Sequence, residues 1–88
     1  LDAIAEFLDA NPDKTFYVVG HTDSKGTFAY NRKLSSDRAL AVADALKQDY
    51  DIASDRLEPH GVGPLSPVFS NASDAGREQN RRVELVEK

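Results

Sequence analysis

Apolar residues at Leu1, Ile4, Ala5 and Leu8 fall at i, i+3, i+4 and i+7, which is one face of an amphipathic helix. Asn11–Pro12 ends it, because the residue before a proline avoids helical backbone. Thr15–Gly20 (TFYVVG) is short, β-branched and aromatic, and predicts a buried strand. Ser24–Gly26 is a turn, and Thr27 is placed to cap a second helix. There Asn31, Leu34, Arg38, Ala41, Val42, Ala45 and Leu46 recur at threes and fours, which predicts the core face. Arg32, Lys33, Ser36, Asp37, Asp44 and Lys47 make the opposite, polar face, and the helix fades near Asp49.

Further along, Ser54–Arg56 reads as a tight connection and Arg56–His60 as a strand, with Pro59 at a position that needs no ladder donor. Gly61–Gly76 is rich in Gly, Pro, Ser and Asn and reads as a loop, with a short helical turn over Asp74–Asn80. Arg81–Glu87 (RRVELVE) alternates and predicts a strand. The strand–helix–strand middle predicts a parallel pair with a right-handed crossover, and the last strand pairs most simply antiparallel. The expected class is α/β, a two-layer α+β arrangement of helices on a small mixed sheet.

At 88 residues the chain is one small domain, spanning 1–88. It has no cysteine, which excludes a disulfide framework, a thiolate metal site and a thiol nucleophile. Its net charge of −4 argues against nucleic acid and anionic membranes as partners, since both need clustered Lys and Arg. The one dense basic spot is Arg81–Arg82. No apolar run approaches the about 20 residues of a membrane span, so no direct membrane insertion by this segment is expected. The opening LDAIAEFLDANP lacks an initiator Met and reads as part of a longer protein, with any targeting or anchoring segment upstream.

Several chemistries find no support. His21-x-Asp23 offers two ligands where a metal needs three or four, so hydrogen bonding at strand ends is the expectation for His21 and His60, with no metal or cofactor. Asp49, Asp51 and Asp55 lack the Gly and terminal Glu of a calcium loop. Gly61-Val62-Gly63 lacks the Lys and following helix of a phosphate loop. There is no G-x-S-x-G elbow, and no second carboxylate accompanies Asp23 as a glycosidase requires.

What remains is an acid and a base in GHTDSKGTFAYNRKLSSDRA. Asp23 ends a strand at its carboxyl edge, where α/β sheets bind ligands. Arg38 shares the predicted core face with Asn31 and Leu34, and a charge facing a core is costly unless paired. Two readings stay open. Asp23 and Arg38 form an internal salt bridge that locks helix to strand. Alternatively they receive a zwitterion, with Arg38 forking onto a carboxylate, Asp23 holding an ammonium and Asn31 adding an amide contact.

The stretches GHTDSKGTFAYNRKLSSDRALAVADAL, HGVGPLSP and SNASDAGREQNRRVEL, in that order, closely resemble the OmpA-like peptidoglycan-binding domain. That family includes the carboxyl-terminal domain of OmpA, the peptidoglycan-associated lipoprotein and flagellar stator proteins. The resemblance implies a β-α-β-α-β-β fold of two helices on a mixed sheet, whose first strand would lie upstream of Leu1. It implies non-covalent, non-enzymatic binding of the peptidoglycan stem peptide, anchoring an outer-membrane or envelope protein to the cell wall in the periplasm. By the HTD and LSxxRA motifs, Asp23 and Arg38 would grip meso-diaminopimelate. Asn31 and Arg81 would add contacts, and Thr22 and Leu34 would line the site. Pro64 stands where many members carry Glu after the G-x-G turn, which puts the loop from Gly63 to Ser70 in question. Two rival functions are a protein-interaction module with a structural Asp23–Arg38 bridge, and a cell-wall hydrolase.

Overall fold

The computed structural model describes all residues, Leu1–Lys88. In chain order it comprises α1 (Asp2–Ala10), β1 (Phe16–Gly20), α2 (Phe28–Asp49), a 3-10 turn (Ser54–Arg56), β2 (Leu57–Gly61), α3 (Asp74–Asn80) and β3 (Val83–Glu87). The hydrophobic pattern placed α1, β1, α2, β2 and β3, and the turn and loop residues placed the 3-10 turn and α3. From its first helix onward the order follows the expected β-α-β-α-β-β arrangement, with α3, the helical turn expected from the residues, between the last two strands.

The sheet runs β2-β1-β3. β1 pairs parallel with β2, Phe16 opposite Leu57 and Gly20 opposite Gly61. It pairs antiparallel with β3, Phe16 opposite Glu87 and Gly20 opposite Val83. Val62 N–H donates to Gly20 O at 3.1 Å, so by alternation His60 and Glu58 also bond toward β1. Pro59 therefore turns its nitrogen to the outer edge, where no donor is lost. On the other side His21 N–H donates to Arg82 O at 2.8 Å and Lys88 N–H to Thr15 O at 3.0 Å. The backbone groups of Val83, Leu85 and Glu87 consequently face the open edge of β3.

Strand alternation turns Phe16 and Val18 inward, both buried, and leaves Tyr17 exposed. They pack with Leu57, with Ala5 and Leu8 of α1, with Ala39, Ala43 and Leu46 of α2, and with Ile52. Arg56 ties the end of α1 to the sheet by donating to Leu8 O at 2.9 Å and Asn11 O at 2.7 Å, carbonyls that also accept from Asn11 N–H and Lys14 N–H.

The face that α2 buries coincides with the predicted one only at Asn31 and Leu46. Its buried residues are Asn31, Ser35, Ala39, Ala43 and Leu46, whereas Arg38 and Ala41 are exposed and Leu34, Val42 and Ala45 half-buried. The reason is how closely α2 lies on the sheet. A Cβ on Gly20 would come 2.1 Å from Ser35 O, and one on Gly61 2.2 Å from Ser36 N. Only small side chains fit at such an approach, so Ser and Ala take the centre and the larger aliphatics flank it. Arg38 thus stands beside the core rather than in it.

Candidate functional site

The carboxyl end of β1 runs into Thr22 and Asp23, both buried although polar. Local hydrogen bonds account for their placement. Thr22 N–H donates to Gly63 O at 3.0 Å, joining the loop after β1 to the loop after β2. Thr22 Oγ1 donates to Asp23 O at 2.8 Å. Asp23 Oδ1 accepts from Lys25 N–H at 3.0 Å, the side-chain-to-backbone turn that Asp favours. Asn31 Nδ2 donates to Lys25 O at 2.7 Å, so the first turn of α2 clamps the same loop. Thr27 caps α2, its Oγ1 accepting from Tyr30 N–H at 3.2 Å.

The second Asp23 oxygen is taken from the far end of the chain. Arg81 Nη1 donates to Asp23 Oδ2 at 2.7 Å. The Asp23–Arg38 bridge of the sequence reading is absent: Arg38 is exposed and makes no hydrogen bond or ion pair. The β1–β3 register explains the choice of partner, because His21 bonded to Arg82 puts Arg81 beside the loop that carries Asp23. Burial pushes the Asp23 carboxyl up. The Arg81 and Lys25 hydrogen bonds, with the charges of Arg81 and Arg77, outweigh it and hold Asp23 below the usual carboxylate value.

Arg38, Arg81, Arg82 and Val83 line a cavity of about 340 Å3. Three arginines and no acid line this cavity, which suits it to an anion. Their commitments differ. Arg82 ion-pairs with Glu84 and donates to Ser66 O at 2.9 Å and Asn80 O at 3.3 Å, so it is built into the loop and α3. Arg81 holds Asp23, and Arg38 is free. A second cavity of about 430 Å3, lined by Phe28, Ala29, Arg32, Lys33 and Ser36, lies on the other flank of α2; Asp23 lines neither cavity and reaches the first through Arg81.

Of the six residues singled out in the sequence, Asp23, Thr22 and Asn31 converge on one hydrogen-bonded loop and Arg81 joins them through Asp23. Arg38 meets Arg81 across the cavity, and Leu34 is half-buried one turn earlier on α2. Arg82 and Val83 also line the cavity and were not singled out as site residues. Alternation in RRVELVE signalled Val83, which packs against the core, but it turns the next residue the other way, so it did not mark Arg82.

Beside the site, His21 is 5% exposed and its Nδ1 has no partner. Burial is the main force lowering its pKa, the Arg82 charge adds to it, and Glu84 at 3.8 Å from Nε2 opposes both. No three His, Asp or Glu side chains converge. The Gly63–Ser70 loop, where Pro64 stands, is pinned by Asn80, which accepts from Val68 N–H and Phe69 N–H and donates to Phe69 O.

The chain matches the OmpA family over residues 1–81. It is 47% identical over 81 residues to outer membrane porin F of Pseudomonas aeruginosa, covering 92% of this chain and 23% of that protein. It is 41% identical over 86 residues to the peptidoglycan-binding protein ArfA of Mycobacterium tuberculosis, covering 98% of this chain and 26% of that one. The chain thus spans about a quarter of the length of these curated relatives. The crystal structure of the peptidoglycan-associated lipoprotein from Burkholderia pseudomallei superposes with a TM-score of 0.87 at 32% identity, covering 98% of this chain and 72% of that one.

Proposed function

The chain belongs to the OmpA family, and from that premise we propose that it binds the peptide stem of peptidoglycan through meso-diaminopimelate. Bound without covalent chemistry, it would anchor an envelope protein to the cell wall from the periplasm. The observation that carries this reading is the free Arg38 guanidinium on the cavity it shares with Arg81, whose partner is the ionised, buried Asp23. The free end of diaminopimelate carries one ammonium and one carboxylate. Arg38 forks onto the carboxylate, and Asp23 accepts from the ammonium. Thr22 and Asn31 hold the loop that aims Asp23, and Leu34 flanks Arg38 on α2.

The names of the lipoprotein and ArfA support peptidoglycan as the ligand. The site needs no catalytic group for this task, so the domain acts as a binder rather than an enzyme. One zwitterion offers few contacts, so each stem is held weakly, and many stems on one polymer raise the effective affinity. The interaction of charges on a partly exposed surface weakens as salt rises.

A titration with a diaminopimelate-containing stem peptide, followed by amide chemical shifts, tests the reading. Shifts at Thr22, Asp23, Asn31 and Arg38 that vanish in Asp23→Ala are expected. An unchanged wild-type spectrum at millimolar peptide would sink the proposal.

A further inference from the structure

We propose that Arg81 is an internal competitor for Asp23, and that this competition makes the site prefer a zwitterionic end over a plain ammonium. The inference rests on the stem-peptide reading above and adds the residue that sets its selectivity.

Both Asp23 oxygens are engaged before any ligand arrives, Oδ2 by Arg81 and Oδ1 by Lys25 N–H. With the Asp23 side chain only 11% exposed and Arg81 seated on Oδ2, an ammonium gains that oxygen by moving Arg81 aside. Arg81 can move, since its side chain is 43% exposed and follows the last turn of α3. Its destinations are poor. The cavity it lines already holds Arg38, which has no counter-charge, and Arg82, which occupies the neighbouring Glu84. A displaced Arg81 therefore stands in a cavity whose other lining residues are two arginines and a valine, with no acid among them.

The outcome depends on what else the ligand brings. A lysine-type end has an ammonium alone. It would pair with Asp23 and leave Arg38 and Arg81 both without a counter-charge. A diaminopimelate end brings a carboxylate on the same carbon as the ammonium. That carboxylate has room for several hydrogen bonds, enough for the guanidinium just displaced and the one that was free. Every charge at the site is then paired. The exchange converts one ion pair and one idle cation into a closed set, but only for a ligand carrying both charges. Arg81 in this view is a selectivity residue rather than one more contact.

The test uses two stem peptides that differ only at the third residue, meso-diaminopimelate or lysine, titrated into the wild type and Arg81→Gln. The wild type should favour the diaminopimelate peptide. In Arg81→Gln the preference should narrow by about tenfold, with the lysine peptide binding more tightly than it does to the wild type. Equal weakening of both peptides would make Arg81 an ordinary contact and overturn the inference. Equal binding of both by the wild type would overturn it too, while leaving the stem reading intact. Binding of neither by the wild type removes the stem reading and this inference with it. A measurement on the wild type alone guards against a variant that does not fold. The plain diamine 1,5-diaminopentane should leave the Lys25 amide unmoved at concentrations where free meso-diaminopimelate shifts it, and a comparable shift from both contradicts the exchange.

Discussion

Arg81 Nη1 lies 2.7 Å from Asp23 Oδ2 although 58 residues separate the two in sequence. The pair is lopsided, with the Arg81 side chain 43% exposed and that of Asp23 only 11%. Removing either partner therefore has a different cost. Asp23→Ala leaves a guanidinium that water can solvate, and forfeits the Lys25 turn, for about 1 kcal/mol. Arg81→Ala leaves a buried carboxylate with one backbone donor, which costs about 1–3 kcal/mol and raises its pKa. Thermal unfolding of the two variants at neutral pH should rank Arg81→Ala as the less stable. The reverse order would mean that Asp23 is more solvated than the structure has it.

Arg38 is exposed and unpaired, so its removal should leave the fold alone. Surface substitutions of this kind stay within about 0.5 kcal/mol. Binding is another matter, since hydrogen bonds to charged groups contribute about 1.5–3 kcal/mol. Arg38→Ala should melt with the wild type yet sediment with purified cell-wall sacculi at least about tenfold more weakly. Arg38→Lys should recover part of the loss, because an ammonium keeps the charge but not the fork. A variant that melts several degrees early while binding normally would return Arg38 to a structural role.

The elements were legible because period and punctuation agreed: Pro12 after α1, Thr27 before α2, alternation in RRVELVE. The buried face of α2 was not. Hydrophobic periodicity looks for large aliphatic residues, and Leu34 and Val42 drew the stripe to the flank. The contact that decides the face is made by Ser35 and Ser36 closing on Gly20 and Gly61, and small residues carry little hydrophobic signal. That error placed Arg38 on the core side and made an internal bridge to Asp23 plausible. The true partner, Arg81, followed from the antiparallel register of β3, and a register is set by pairing across the sheet rather than by local pattern.

The close approach of α2 to the sheet gives its own prediction. Gly20→Ala puts a methyl 2.1 Å from a helix carbonyl, and backbone cannot yield as a side-chain tip does. Overpacking of this severity should cost about 3 kcal/mol or more. For a domain of this size that lowers the melting temperature by more than about 10 °C. Gly61→Ala, 2.2 Å from Ser36 N, should behave alike. Gly26→Ala is the control: its φ of +88° is strained for a side chain, but the nearest atom is 3.9 Å away. It should cost only the left-handed conformation, about 1–2 kcal/mol. Equal losses at Gly20 and Gly26 would remove the close-packing argument.

Stability should decline in mild acid because of His21. Burial, aided by the Arg82 charge and opposed by Glu84, holds its pKa below the ordinary 6.5. The unfolded chain therefore binds this proton at a higher pH than the folded one. The contribution is fully present above about pH 6.5 and is lost as pH falls toward the folded pKa, with a slope of at most about 1.4 kcal/mol per pH unit. Asp23 has the same sign in a lower window, its stabilisation present above its ordinary 3.8 and lost on further acidification. Urea unfolding between pH 7.5 and 4.5 should show the first decline in the wild type and a flatter profile in His21→Gln. Parallel profiles for the two proteins would assign the decline to other groups.

Asn80 has no exposed surface and serves the loop before α3 through its side chain alone. Its Oδ1 accepts from Val68 N–H at 2.8 Å and Phe69 N–H at 3.1 Å, and its Nδ2 donates to Phe69 O and to Asn71 Oδ1. The side chains of Leu65, Val68 and Phe69 all point to solvent, so packing does not hold this loop and hydrogen bonds must. Asn80→Ala should accordingly free the loop and cost about 2 kcal/mol, more than one bond because several are broken at a buried position. Ser73→Ala removes the cap of α3, whose Oγ accepts from Gly76 N–H at 3.0 Å, and should cost about 1 kcal/mol. Amide exchange separates the two effects. Val68 and Phe69 should exchange much faster in Asn80→Ala and at the wild-type rate in Ser73→Ala. Unchanged protection of both amides in Asn80→Ala would show that the loop keeps its shape without the asparagine.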